Sequence, residues 1–282
     1  MENLWIIFVF IYSILKGSRD GMKKAALRKS SLYEVLFFYT LIGVFFALPY
    51  LSEAVKLPPL YIFFIFIKSA VVCTAWGFSC VALRKMSVSL YGIIDLSRMV
   101  FSTAFGVFLL GEAFTLNKAL GVTVVIIGLF LVNLRKTGES KTATFPIILA
   151  AFLNCFFNAL SGTLDKVLMK HMSSGQLQFW FMLFMTLIYG AVIMVRHEKI
   201  SVKNTAKNYW IPLMSLSLVI GDKLLFEANA SPLSEVTLMT VIKQSSVLVS
   251  VLTGWLVFKE KHILYKLMCA LIVLFGIFIA LA

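Results

Sequence analysis

The chain has 282 residues, of which 60% are hydrophobic and only 14% are charged, and it carries a formal net charge of +13. Because soluble domains contain about 25% charged residues, this composition excludes a soluble globular protein. It also excludes a nucleic-acid-binding protein, since no polar segment is long enough to form a basic face in water.

Ten apolar runs follow one another along the chain, and each is long enough to cross a bilayer as a helix. The predicted helices, numbered 1 to 10, cover 3–27, 32–51, 58–83, 88–110, 116–134, 146–170, 177–195, 209–229, 235–258 and 263–281. The connections between them are too short to form a soluble accessory domain. The sequence therefore predicts an all-α integral membrane protein with ten transmembrane helices.

The second half of the chain repeats the first at a nearly constant offset. Segment 15–20 of helix 1 matches segment 160–165 of helix 6, at an offset of 165 − 20 = 145. Four further residues recur at an offset of 148, namely Gly106, Glu112, Lys118 and Gly128 as Gly254, Glu260, Lys266 and Gly276. We predict two five-helix repeats, 1–136 and 146–282, joined by a loop at 137–145.

The odd number of helices in each repeat decides the relation between the repeats. Since five crossings end on the opposite side of the membrane, the second repeat is inverted relative to the first. Inverted repeats are typical of secondary transporters, whose substrate sites lie near the bilayer midplane where the halves meet.

Basic residues differ between the two sets of connections. Lys and Arg are concentrated in connections 1–2, 3–4, 5–6, 7–8 and 9–10, and opposite them stand only Lys56, Lys118 and Lys170. The positive-inside rule then predicts that both termini lie outside the cytoplasm. We expect a multi-pass protein of the cell (inner or plasma) membrane.

Several charged residues lie away from the predicted helix ends, where each costs roughly 2.5–3.5 kcal/mol on insertion scales. The basic ones are Lys16, Arg19, Lys68, Arg98, Lys166, Lys223 and Lys243, and the acidic ones are Asp20, Asp95, Asp165, Asp222 and Glu227. Twelve such residues would be prohibitive on surfaces that face lipid. Their number predicts a polar interior.

Helical spacing arranges many polar residues as stripes on four repeat-related helices. The stripes are Tyr91, Asp95, Arg98 and Ser102 in helix 4; Lys243, Ser246 and Ser250 in helix 9; Asn154, Asn158, Ser161 and Asp165 in helix 6; and Ser13, Lys16 and Asp20 in helix 1. We expect the stripes to line one cavity between the halves. The candidate substrate-binding residues are Asp95, Arg98, Tyr91, Ser102, Lys243, Ser246, Lys16, Asp20, Asn154, Asn158 and Trp76.

A structural interpretation of the same residues stays open. Asp95 with Arg98, Arg19 with Asp20, and Lys223 with Glu227 are the pairs that could lock helices together as buried or partly buried ion pairs. The two glycines of Gly17-x-x-x-Gly21 are spaced so that two membrane helices can pack closely.

Short fragments of the sequence resemble the EamA type of the drug/metabolite transporter superfamily. Gly17-Ser18, followed by Lys24 and Leu27, is similar to the Trp-Gly-Ser…Lys…Leu pattern near the end of that family's first helix, with Lys16 in the Trp place.

A second set of fragments lies in helices 4 and 5 and is repeated in helix 10. Gly111-Glu112, with Gly121 and Gly128, resembles the family's Gly-Glu at the end of helix 4 and its glycines along helix 5. Where the family usually has a proline, this chain has Met99 and Val247. The resemblance implies a ten-helix transporter of small solutes with both termini in the cytoplasm, opposite to the charge rule.

The favoured functional interpretation is a secondary transporter or facilitator of a small polar zwitterionic or anionic metabolite, such as an amino acid, working by alternating access. Arg98 or Lys243 would bind the negative group, and Asp95 would bind an ammonium or carry a coupling proton. One alternative is a flippase of a phospholipid or of a polyprenyl-phosphate-linked sugar. Another is a membrane scaffold that transports nothing.

Enzymatic activity is not expected. The three histidines lie at predicted helix ends, no Gly-rich phosphate loop occurs, and the four cysteines show no metal-ligand spacing. We therefore expect no catalytic residue, no cofactor and no metal. The expected partners are a small-molecule or lipid-linked substrate and membrane lipids, without nucleic acid, for a chain that is a monomer or a homodimer.

Overall fold

A computed structural model describes residues 4–110, 115–134, 144–198, 200–202, 205, 207–230 and 242–281. Regular structure in this part of the chain is helical, and the helices follow the predicted order. They are α1 Leu4–Leu27, α2 Leu32–Ala47, α3 Pro59–Lys85, α4 Val88–Asp95 with Arg98–Leu110, α5 Leu116–Leu134, α6 Phe145–Leu168, α7 Ser174–Val195, α8 Trp210–Ala230, α9 Ser246–Leu256 and α10 Ile263–Leu281.

Some helix bounds differ from the prediction. A 3₁₀ turn, Leu48–Tyr50, and a short helix, Leu51–Ala54, prolong α2. Helix α7 begins at Ser174 rather than 177 because Ser173 and Gln176 form a reciprocal capping box. The first part of predicted helix 9, 235–241, and most of the predicted loop 137–145 lie outside the described residues.

Five of the described helices are long and apolar enough to cross a membrane by length and composition alone. They are Leu32–Ala54, Pro59–Lys85, Val88–Leu109, Phe145–Asp165 and Ser174–Val195. Helices α1 and α8 are long enough but carry several charged residues, among them Lys16 and Arg19 in α1 and Asp222 and Lys223 in α8. Their charges therefore need partners inside the protein.

The most extensive helix contacts join one half of the chain to the other. Contacts α1–α8, α1–α9 and α2–α8 have the repeat counterparts α6–α3, α6–α4 and α7–α3, and α2, α4 and α5 each contact their own counterparts, α7, α9 and α10. Because the pattern is unchanged when the halves are exchanged, the halves are related by an approximate two-fold axis. With five helices in each half, the repeats are inverted.

Helix α4, and the helical stretch 242–256 that contains α9, are interrupted at repeat-equivalent positions. At Ser97 and at Ser245, which are 245 − 97 = 148 residues apart, the backbone changes to i→i+3 hydrogen bonds, from Ser97 N to Ile94 O at 2.9 Å and from Ser245 N to Ile242 O at 3.1 Å. No proline causes either break. The breaks lie beside Arg98 and Lys243, so both charged side chains are carried by interrupted helices.

Close packing of α1 against α9 depends on two glycines. A Cβ added to Gly17 would clash with the backbone oxygen of Ser246 and with Val249, and one added to Gly21 would clash with Thr253. The Gly17-x-x-x-Gly21 motif therefore lets α1 pack closely against α9, as its spacing indicated. It brings Lys16 of α1 next to α9.

Candidate functional site

The centre of the candidate site is the carboxylate of Asp95, at the end of the first segment of α4. Lys16 Nζ lies 3.1 Å from Asp95 Oδ2, and Arg98 Nη2 lies 2.7 Å from Asp95 Oδ1. Asn154 of α6 also donates to Oδ1, at 3.4 Å. Only 8% of the Asp95 side chain is exposed. Both carboxylate oxygens are therefore occupied inside the protein.

Four helices from both halves meet at this carboxylate. Besides its ion pair with Asp95, Lys16 donates a hydrogen bond to Ser246 Oγ of α9 at 3.2 Å. One ammonium thus connects α1, α4 and α9. Since α6 contributes Asn154, all four helices that carry the predicted polar stripes take part.

Lys243 is the second predicted cation of this region. Its charge interacts with the cations Lys16 and Arg98 and with the anion Asp165. Among the described residues it makes no hydrogen bond and no ion pair. Arg98 is also only partly used, because its Nη2 binds Asp95 while its buried Nε has no hydrogen-bond partner in the described part of the chain. The region therefore contains cationic donors that protein groups do not saturate.

A chain of buried hydrogen bonds leads away from Asp95. Asn154 Nδ2 donates to Tyr91 Oη at 3.0 Å, Tyr91 Oη lies 2.7 Å from Ser79 Oγ, and Lys23 Nζ donates to Ser79 Oγ at 3.0 Å. The sequence stripes include Tyr91 and Asn154, but Ser79 and Lys23 were not predicted. Lys23 lies near the end of α1, where a sequence pattern indicates a solvated charge.

The remaining predicted site residues surround the cluster at different distances. Asn158 donates to Asn154 Oδ1 at 2.7 Å, and Asp20 accepts a hydrogen bond from Ser250 Oγ of α9 at 3.1 Å. Ser102 is exposed. Trp76 packs in an aromatic group with Tyr39, and its ring centroid lies 5.9 Å from Lys23 Nζ. In the described part of the chain, neither Ser102 nor Trp76 forms a hydrogen bond with the other predicted residues.

Two ion pairs in the interior join one half to the other. Lys68 Nζ of α3 lies 3.1 Å from Asp165 Oδ1 of α6 and 3.7 Å from the ring centroid of Phe181. Arg19 of α1 pairs with Asp222 of α8 at 4.0 Å, and not with the neighbouring Asp20. These interior charges are compensated locally.

Helix connections of both halves also pack together at one end of the bundle, which we call the basic end (28–31, 86–87, 196–198, 200–202, 205, 207–209 and 257–262). Glu260 accepts hydrogen bonds from Val88 N at 2.7 Å and from Ser89 at the N-terminus of α4, and it pairs with Lys266 Nζ at 3.1 Å. Lys24 of α1 lies 3.9 Å from Glu260 and donates to Met86 O.

The contacts of Glu260 fix its charge state. Burial raises the pKa of Glu260, but the hydrogen bond from Ser89 and the ammonium of Lys266 outweigh this effect, so that its pKa lies below the ordinary value. The carboxylate also satisfies free N–H groups at the start of α4. Glu260 therefore anchors the second half to the first, a role that its place in the repeated motif does not reveal.

A metal-binding arrangement is not found in the described part of the chain, where no three His, Cys, Asp or Glu side chains come together. Unsaturated cationic donors next to a compensated carboxylate can bind an anionic group by charge-assisted hydrogen bonds.

Comparison with known families agrees with this arrangement. A sequence model of the EamA-like transporter family matches the chain twice, at residues 3–134 and 145–282. The chain belongs to the EamA-like transporter family. The two matches cover the two predicted repeats, and the protein is a multi-pass membrane protein of a family of small-solute transporters.

A solved structure supports the fold. One that is described only as "Crystal structure of protein" superimposes with a TM-score of 0.68 at 13% sequence identity, covering 99% of this chain and 97% of that one. At this identity the similarity concerns the fold alone. No curated protein matches the sequence at a significant level.

Proposed function

We propose that this EamA-like protein is a secondary transporter or facilitator that moves a small polar metabolite, zwitterionic or anionic, across the cell membrane by alternating access. The substrate binds at the Asp95 cluster. Arg98 and Lys243 bind its negative group, and the two inverted halves move relative to each other to expose the site to either side.

The observation that carries the proposal is the position of this charge cluster. Lys16, Asp95 and Arg98 lie where α1, α4, α6 and α9 meet, beside the breaks in α4 and α9. Ionisable groups inside a membrane protein are costly and mark substrate pathways. Unwound helix segments at the meeting point of inverted repeats are likewise typical of transporter sites.

Uptake into liposomes tests the proposal. Purified protein is reconstituted, and entry of labelled amino acids, carboxylates and phosphate esters is compared with entry into protein-free liposomes. We expect saturable uptake of at least one small polar solute. Uptake should be lost in Lys16→Gln, which removes the central ammonium.

The matched control is Lys223→Gln. Lys223 also lies in a membrane helix, but it forms a half-exposed pair with Glu227 at 3.0 Å and does not contact the Asp95 cluster. We expect this variant to retain uptake. Equal loss in both variants, or full uptake in Lys16→Gln, would contradict the assignment of the site.

A further inference from the structure

We infer that the preferred substrate is a small divalent anion without an ammonium group, such as a dicarboxylate or a phosphate monoester. This inference rests on the proposed transport function and makes its substrate class narrower. It follows from which charges near Asp95 are already paired and which are not.

Both oxygens of Asp95 are already paired with cations of the protein. Its Oδ2 is paired with Lys16 at 3.1 Å, and its Oδ1 accepts from Arg98 at 2.7 Å. An ammonium would have to compete with these cations for the same oxygens, and it would enter a region that already contains three cations, including Lys243. Like charges in a poorly hydrated interior repel strongly, so a zwitterion is disfavoured.

The neighbouring acids are occupied as well. Asp165 lies 3.1 Å from Lys68, and Asp222 lies 4.0 Å from Arg19. Asp20 accepts a hydrogen bond from Ser250, and the charge of Lys23 acts on it. Each of these acids therefore has a local partner of its own. Lys243 interacts with Asp165, but that carboxylate is already paired with Lys68.

Counting formal charges at the cluster gives the valence of the substrate. Lys16, Arg98 and Lys243 contribute three positive charges and Asp95 contributes one negative charge, so the arithmetic is +3 − 1 = +2. A divalent anion neutralises this charge, whereas a monovalent anion or a zwitterion does not. Arg98 has an unused part of its planar fork, and Lys243 has three donors, so both can bind oxygen atoms.

Matched compounds test the inference through binding. The thermal unfolding midpoint of the purified full-length protein is measured against increasing concentrations of glutarate, glutamate and 4-aminobutyrate. Glutarate and glutamate share a five-carbon chain and differ by one ammonium group. Glycerol 3-phosphate and phosphoethanolamine form a second, less closely matched pair of small phosphate monoesters, of which only phosphoethanolamine carries an ammonium group. This pair distinguishes a phosphate monoester from a dicarboxylate as the divalent anion.

We expect the divalent member of at least one pair to bind roughly tenfold more tightly or better than its zwitterionic partner, since a charge-assisted contact contributes about that factor. Lys243→Gln should reduce this preference by a similar factor, while Lys243→Arg should largely restore it. Lys223→Gln should leave it unchanged.

The outcomes separate this inference from the transport proposal. The inference is wrong if the zwitterions bind as tightly as the divalent anions. It is also wrong if no divalent anion binds at about 10 mM, a concentration at which even very weak binding would be detected. In either case, the uptake measurements still decide whether the protein is a transporter. If glutarate or glycerol 3-phosphate binds but does not enter liposomes, the charge preference stands and the transport proposal fails for that solute.

Discussion

The ammonium of Lys16 lies 3.1 Å from the carboxylate of Asp95, although 79 residues (95 − 16) separate them along the chain. The same ammonium donates to Ser246 in the other half. Lys16 therefore connects α1, α4 and α9, although the sequence of helix 1 does not show these contacts. Changes at this pair should affect folding and substrate binding to different extents.

Replacing Asp95 by Asn should destabilise the protein. The change leaves the buried Lys16 and Arg98 without their shared carboxylate, and removing one partner of a buried ion pair costs about 3–5 kcal/mol. We expect a clearly lower thermal unfolding midpoint in detergent. Glu227→Gln, which removes the half-exposed partner of Lys223, is the control and should change the midpoint little.

Arg98→Ala should fold better than Asp95→Asn, because Asp95 keeps its ion pair with Lys16. Substrate affinity should fall roughly tenfold or more through the loss of a charge-assisted contact. Arg98→Lys should rescue only part of the affinity, since lysine lacks the planar fork. Binding curves with any solute taken up by the wild type measure this. Normal affinity in folded Arg98→Ala protein would show that Arg98 has only a structural role.

Gly17→Ala should weaken the packing of α1 on α9, because the added Cβ meets the Ser246 backbone and Val249. Gly162 is its repeat counterpart in α6, and a Cβ there meets nothing within 4 Å. We expect overpacking to cost about 1–3 kcal/mol in Gly17→Ala and almost nothing in Gly162→Ala. Thermal unfolding of the two variants gives the comparison, and equal midpoints would argue against the close contact.

Glu260 should make stability depend on pH. Because its pKa is lowered in the folded protein, its contribution is present above the ordinary glutamate pKa of about 4.3 and is lost as the pH falls through the lower, folded value. Glu260→Gln removes this contribution. The unfolding midpoint of the wild type should therefore exceed that of Glu260→Gln near neutral pH, and the difference should shrink in acid. A difference that stays constant with pH would contradict the anchoring role.

Both termini should lie outside the cytoplasm. Lys23 and Lys24 do not count among the free charges near the basic end, because Lys23 donates a hydrogen bond to Ser79 and Lys24 lies 3.9 Å from Glu260. The exposed cations Arg28 and Lys29 remain there, opposite Lys56 and Lys170. A C-terminal reporter that is active only in the cytoplasm should therefore be silent. Full signal would support the opposite orientation, which the family resemblance implies.

The predicted helix bounds agree closely with the structure where the composition of the chain alone determines them. Helix 1 ends at Leu27 and helix 5 covers 116–134 in both, since apolar runs and polar connections determine these bounds. The breaks in α4 and α9 were not predicted, because no proline marks them. The two serines at the breaks, Ser97 and Ser245, occupy the same position in the two repeats, and this match is the sequence feature that could have indicated them.

The ion-pair partners of the interior charges could not be predicted from the sequence. Arg19 neighbours Asp20 in the chain but pairs with Asp222 of α8. Spacing within a helix gives the face that a residue occupies, but not which face of another helix lies opposite. Lys16 and Asp95 belonged to the predicted set, yet their direct contact depends on how α1 packs between α4 and α9.

By itself, the sequence determined the membrane class, the two five-helix repeats and the presence of charged residues in the interior, because hydrophobicity and periodicity are local properties of the chain. Only the tertiary structure decided that Asp95 is shared by Lys16 and Arg98, while Lys243 has no such partner among the described residues. Electrostatic pairing acts over a few ångströms between distant segments, so it depends on packing that no single helix specifies.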